Sequence, residues 1–86
     1  MRVLIPTPLR SYTGNQKVVD AGGATVDDLL RDLDAQYPGL RFRVVDEQGR
    51  LRTHMKVFVG QESVRDLSTP TEGVEEITLM QALSGG

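Results

Sequence analysis

Two glycines, Gly85 and Gly86, close the sequence directly behind a run that reads as its last β-strand. They present a carboxylate with no side chain beside it. Because glycine lacks a Cβ, such a backbone can pass extended through a narrow channel into another enzyme's active site, whereas a branched residue at either position would widen the tail. Glycine supplies about 7% of average sequence, so a terminal pair arises by chance in about one chain in 200. Taken alone, the dipeptide fits a frayed terminus or an appended scar equally well. The rest of the chain has to decide.

Few other groups could do chemistry. The chain has no cysteine, which excludes disulfides, a thiolate nucleophile and a persulfide held on a side chain. Sulfur chemistry would therefore have to use the C-terminal carboxylate. With one histidine, His54, a zinc site is not expected and a Ser-His-Asp arrangement would have to recruit that residue; a lone histidine beside a strand reads as solvated or satisfied. The 86 residues are read as one small domain, 1–86, too small for a deep catalytic cleft. With 38% apolar and 26% charged residues and a formal net charge of -2, the composition is that of an ordinary soluble globular protein. Acidic overall and without tryptophan to stack on bases, it does not suggest a nucleic-acid partner. No run approaches the length needed to span a bilayer, and Met1 to Pro6 lacks the apolar stretch of a signal peptide, so the default expectation is a cytoplasmic protein.

The elements that must hold such a tail follow from periodicity. Residues 1 to 6 read as a strand with Met1, Val3 and Ile5 on one face and Arg2 and Leu4 on the other. Pro6 and Pro8 end it, 10 to 15 is turn chemistry, and 16 to 20 is a second short strand. Thr25 is placed to cap a helix, with Asp27 and Asp28 at its positive end and Val26, Leu29, Leu30, Leu33 and Tyr37 on one face, until Pro38-Gly39 stops it. Residues 40 to 43 are ambiguous between loop and one helical turn. Alternation returns from Arg52 to Val59, Glu62 to Val64 suits a short partner strand, and Glu76 to Gln81 reads as the last strand. One helix with one apolar face must lie across one face of a mixed sheet, with the last strand beside the first. The expected fold is α+β, a β-grasp whose final strand leads off the core into the glycines.

On these residues the chain resembles the MoaD/ThiS family of ubiquitin-like β-grasp sulfur carriers. Ile5-Pro6-Thr7-Pro8-Leu9-Arg10 and Tyr12-Thr13-Gly14-Asn15-Gln16-Lys17 are similar to its CysO-like branch in particular. The helix with Leu29, Leu33 and Tyr37, then Ile77-Thr78-Leu79 and Ala82-Leu83-Ser84-Gly85-Gly86, extend the likeness over the whole chain. One departure is that Gln81-Ala82 stands where family members often carry proline before the tail. The resemblance implies a carrier and not an enzyme. Gly86 would be converted to an acyl-adenylate by an ATP-using, E1-like adenylyltransferase, and a sulfur donor or sulfurtransferase would leave it as a thiocarboxylate. A sulfur-accepting enzyme of cysteine or thiolated-metabolite biosynthesis would then use that sulfur, with a metalloprotease as one route for trimming the product. No permanently bound cofactor is implied; nucleotide and catalytic residues belong to the partner.

Gly85, Ser84 and Leu83 are the expected tail-docking residues. An apolar sheet surface near the tail meets the activating enzyme in such carriers, and Phe58, Val59 and Leu79 are its candidates here, with Phe58 and Leu79 equally well read as core. Arg50, Arg52, His54 and Lys56 alternate and share a face if the strand reaches that far, with Arg41 and Arg43 upstream. A solvated face is favoured for them over a docking patch for an acidic partner. Three other readings remain open: the small subunit of a molybdopterin synthase, a ubiquitin-like modifier joined to target lysines, and a plain β-grasp interaction module with an incidental Gly-Gly.

Overall fold

A computed structural model describes residues 1–82. Its strands are β1 (Arg2–Leu4), β2 (Val18–Asp20), β3 (Met55–Val59), β4 (Glu62–Val64) and β5 (Glu76–Gln81), and its α-helices are α1 (Val26–Gln36) and α2 (Leu40–Val44). They form the β-grasp expected from the sequence. The sheet order is β2-β1-β5-β3-β4, with β1 and β5 parallel and every other pair antiparallel. The last strand thus lies at the centre of the sheet, between the first strand and β3.

Alternation decides which side chains go inward. Val3, Val19, Met55, Val57, Ile77 and Leu79 point to one side of the sheet and join the buried α1 residues Val26, Leu29, Leu30 and Leu33 in one core. The Thr25 hydroxyl accepts the Asp28 N–H at 3.2 Å, which caps α1 as its sequence suggests. Just before it, a Cβ on Gly23 would come within 2.5 Å of the Leu29 nitrogen, so only glycine fits where the loop crosses the helix. Buried Thr71 ties that loop down, its hydroxyl donating to the Gly23 carbonyl and its N–H to the Ala24 carbonyl at 3.0 Å.

Three segments differ from the sequence reading. Residues Thr7–Thr13 form a 3-10 helix in place of an open turn. It buries Leu9, and the Thr13 hydroxyl donates to the Gln16 carbonyl at 2.8 Å before Gly14 and Asn15 take positive φ. The ambiguous stretch after Gly39 is helical because Leu40 and Val44, one turn apart, are both buried. The Asp34 carboxylate accepts the N–H groups of Gly39 (3.1 Å) and Arg41 (3.2 Å), joining the end of α1 to the start of α2. Finally, β3 begins at Met55, since residues 52 to 55 make a turn closed by the Met55 N–H on the Arg52 carbonyl at 3.0 Å.

One charged cluster links the helices. Asp27 accepts from Arg41 at 2.8 Å and from Arg31 at 3.0 Å. Arg41 above all, then Arg31, holds the Asp27 carboxyl below the usual carboxylate range against the opposing effect of burial. Because the folded value is depressed, this stabilisation is present above the unfolded pKa of about 3.9 and is lost as pH falls through the folded one. Asp27→Asn should therefore lower unfolding free energy at neutral pH by about 1 kcal/mol, with the gap to wild type closing below about pH 4. Urea titrations across pH measure it, and a gap independent of pH would contradict the assignment. In the core, Leu33→Ala should cost about 2–5 kcal/mol in the same assay.

Candidate functional site

Strand β3, and not β1, fixes the root of the tail. On one side Leu79 pairs with Val57, Met80 with Lys56 and Gln81 with Met55; beyond Gln81 the Ala82 N–H donates to the His54 carbonyl at 2.7 Å. On the other, β1 pairs only as far as Leu4 with Thr78. The expected reacting and docking residues Gly86, Gly85, Ser84 and Leu83 lie outside the described residues, so the site is known here from its root and from the surfaces around it.

The sheet face away from α1 is the first of these surfaces. Register aligns Val18, Leu4, Thr78 and Phe58 in one row across four strands, with Met80 and Lys56 in the next row toward the tail. Val18 is 46% and Met80 45% exposed, while Leu4 and Phe58 are half-buried. Of the three residues expected to form a partner surface, Phe58 is on this face. Val59 is half-buried and packs against the core on the other side, and Leu79 is only 2% exposed and belongs to the core. Leu79 is thus corrected from surface to core: it shares inward parity with Ile77, while its neighbour Met80 points out. Met80 and Leu4 are the apolar residues that the sequence reading did not assign to the surface, although strict alternation from Ile5 and Ile77 carries the signal.

Beside Met80 the sheet face opens into a groove of about 570 Å³ lined by Leu4, Pro6, Pro8, Arg10, Thr78 and Met80 among others. It runs along the side of β5 that β1 has left. A second surface lies across the tail root. There Phe42 is exposed, the Arg52 guanidinium sits 4.8 Å from its ring centroid, and the Arg52 Nε donates to the Phe42 carbonyl at 2.8 Å. Arg43 and His54 complete a cavity of about 230 Å³ with these two.

That arrangement removes the continuous basic strand face considered from the sequence. Arg50, Arg52 and His54 precede β3, Arg50 reaches back to Asp46 at 3.8 Å, and Arg41 is committed to Asp27. Only Lys56 of that series lies on the sheet face. Backbone N–H donors from Arg50 and Gln48 hold the half-buried Asp46 carboxyl below its ordinary range, Arg50's first, and Ser68 does the same for Asp66 through its hydroxyl and N–H. These are turn-closing contacts. Among the described residues no cluster of three histidine or acidic side chains is placed to hold a metal ion, and no helix is long and apolar enough to cross a membrane.

Comparison with known proteins places this geometry. The model of the ThiS family matches residues 3–86. The sulfur carrier protein CysO of Mycobacterium tuberculosis is 37% identical over 89 residues, which cover 98% of this chain and 96% of that protein. The crystal structure of a BexX/CysO complex of Amycolatopsis orientalis superimposes with a TM-score of 0.90 at 35% identity, over 99% of this chain and 98% of that one. The crystal structure of SAMP1 from Haloferax volcanii gives a TM-score of 0.78 at 31% identity, over 100% and 98%.

The opposite parity of Leu79 and Met80 is directly testable. Leu79→Ala should cost about 2–5 kcal/mol of unfolding free energy, whereas Met80→Ala should stay within about 0.5 kcal/mol of wild type. Equal losses in chemical denaturation would contradict the placement of the two residues.

Proposed function

Because the chain belongs to the ThiS family and is a sulfur carrier of the CysO kind, not a catalyst, we propose that the carboxylate of Gly86 is the group that carries its sulfur. The observation that carries this reading is that the family match runs through residue 86 and so takes in the Gly-Gly. The absence of cysteine supports it, since no side chain offers a thiol to hold sulfur instead. The unit that presents the tail is the whole stretch 1–86, cytoplasmic in setting.

A carboxylate is a poor acyl donor at neutral pH, so it must first be activated. An E1-like adenylyltransferase supplies ATP: a Gly86 oxygen attacks the α-phosphorus and pyrophosphate leaves. Sulfide, free or released from a sulfurtransferase persulfide by a thiol reductant, then attacks the carbonyl carbon and AMP departs with the bridging oxygen, leaving a thiocarboxylate. Its anionic sulfur attacks an electrophile in an acceptor enzyme of cysteine or thiolated-metabolite biosynthesis. Hydrolysis, or trimming by a metalloprotease, returns the carboxylate.

This protein's contribution is position. Strand β5 is paired with β1 as far as Thr78 and with β3 as far as Gln81, and Ala82 is bonded to His54, so the tail starts from a root held along its β3 side. Leu83, Ser84 and Gly85 then fit the partner's channel, where side-chain bulk near the carboxylate is penalised. Phe58, joined by Leu4 and Met80 on the same face, offers apolar area to the activating enzyme. The relative crystallised as a BexX/CysO complex supports a protein partner for such a carrier.

A second reading shares the same activation. The likeness to SAMP1, described as a small archaeal modifier protein, favours transfer of Gly86 to a lysine amine as an alternative fate of the adenylate.

Intact mass of the untagged chain after incubation with ATP, sulfide and an E1-like enzyme should show replacement of one oxygen by sulfur, absent when residues 85 and 86 are deleted. No gain with enzymes that load a known carrier would overturn the thiocarboxylate reading, and higher-mass conjugates in cells would favour the modifier. Gly86→Ala should fold normally and load poorly; unchanged loading would remove the narrow-channel argument.

A further inference from the structure

The parallel pairing of β1 and β5 stops short for a reason visible in the backbone. The Arg2 N–H donates to the Glu75 carbonyl at 3.1 Å, while the Ile5 N–H donates away from β5, to Lys17, at 2.8 Å. Residues 2, 4 and 6 therefore face β5, and residues 75, 77, 79 and 81 face β1, in the alternating pattern of a parallel ladder. Continued by one step, that ladder would send the N–H of residue 6 to the Leu79 carbonyl and the N–H of Gln81 to the carbonyl of residue 6. Pro6 has no N–H. Its carbonyl accepts instead from Leu9 at 2.9 Å, where the 3-10 helix begins. Both bonds are lost.

The phase of β3 confirms which groups are left. The Gly60 N–H reaches the Glu76 carbonyl at 3.0 Å and the Ala82 N–H reaches His54, so residues 76, 78, 80 and 82 face β3. By that phase the Leu79 carbonyl and both main-chain groups of Gln81 point to the β1 side, where the ladder ends at Leu4, and among the described residues no main-chain bond from outside the strands reaches them. They form a short open edge in mid-sheet, flanked by the groove of about 570 Å³. Unpaired edge groups of this kind are a template for an added strand.

We propose that this edge takes an extended segment of a partner protein as an added strand, main chain against Leu79 and Gln81, with apolar side chains in the groove and an acidic one opposite Arg10. The apolar requirement follows from Leu4, Pro6, Pro8 and Met80, which line the groove. The acidic one follows from Arg10: it lines the groove, its Nε donates to the Ile5 carbonyl at 3.0 Å, and among the described residues no carboxylate pairs with it. The added strand would lie against the last residues before the tail. In that position it would hold Gly86 at a fixed distance from the partner's active site, as main-chain pairing does in strand-addition complexes. The identity of the partner rests on the carrier reading; the existence of the edge does not.

The test uses the full chain, labelled with ¹⁵N, and two capped hexapeptides at millimolar concentration, one alternating valine with glutamate and one alternating valine with lysine. The glutamate peptide should shift the amide signals of Leu4, Arg10 and Gln81 and slow exchange of the Gln81 amide about tenfold, with Met80 and Ala82, already bonded to β3, little changed. The lysine peptide should bind at least about tenfold more weakly, and Arg10→Gln should remove that discrimination. Unchanged Gln81 exchange, or equal effects of the two peptides on wild type, would overturn the proposal without recourse to the variant. The carrier reading has its own assay, so a chain that binds the peptide but is never loaded with sulfur overturns that reading alone.

Discussion

Pairing of the first strand with the last is the constraint on which the rest of this structure depends. Without it the chain separates into a β1–β2 hairpin and a β3–β4 hairpin, neither of which closes a core alone. Strand β5 joins them, parallel to one and antiparallel to the other, and brings Ile77 and Leu79 under α1. The contact spans residues more than seventy apart, such as Arg2 with Glu76, so its formation orders most of the chain at once. Scaffold and proposed site therefore share one element, because the strand that completes the core is the one that runs on in sequence toward Gly86.

Around that strand the chemistry is kept sparse. The ion pairs of Asp27 with Arg31 and Arg41 brace α1 and α2, and Asp46 and Asp66 close turns. What borders the root is apolar or cationic: Met80, Phe58 and Leu4 on the sheet face, and Phe42 with Arg43 and Arg52 on the other flank. A carrier that works as proposed needs only to be recognised and to present one carboxylate, and this surface suits that division of labour.

Much of this was legible in the sequence because strong periodicity survives tertiary packing. The α1 face of Val26, Leu29, Leu30 and Leu33 and the bounds of β4 and β5 follow from spacing alone. Helix α2 was ambiguous since five residues are too few to show a period, and its stability comes from burial of Leu40 and Val44. The 3-10 helix has no apolar repeat to read; one buried leucine and a threonine hydroxyl hold it. Leu79 stood open between surface and core in the sequence, and its parity with Ile77 along β5 places it in the core. The open edge of Leu79 and Gln81 required three-dimensional register, although Pro6, its cause, stands plainly in the sequence.

The central position of β5 also bears on when during biosynthesis the protein can be used. Translation produces this strand after all the others, and while its residues remain inside the ribosome the two hairpins have nothing to join them. The sheet is thus completed only once β5 has been made and paired, and a polypeptide cut short anywhere in β5 has neither a sealed interior nor a root for its terminus. Any enzyme that checks for the assembled sheet before it accepts the glycines is at the same time inspecting whether the fold has closed.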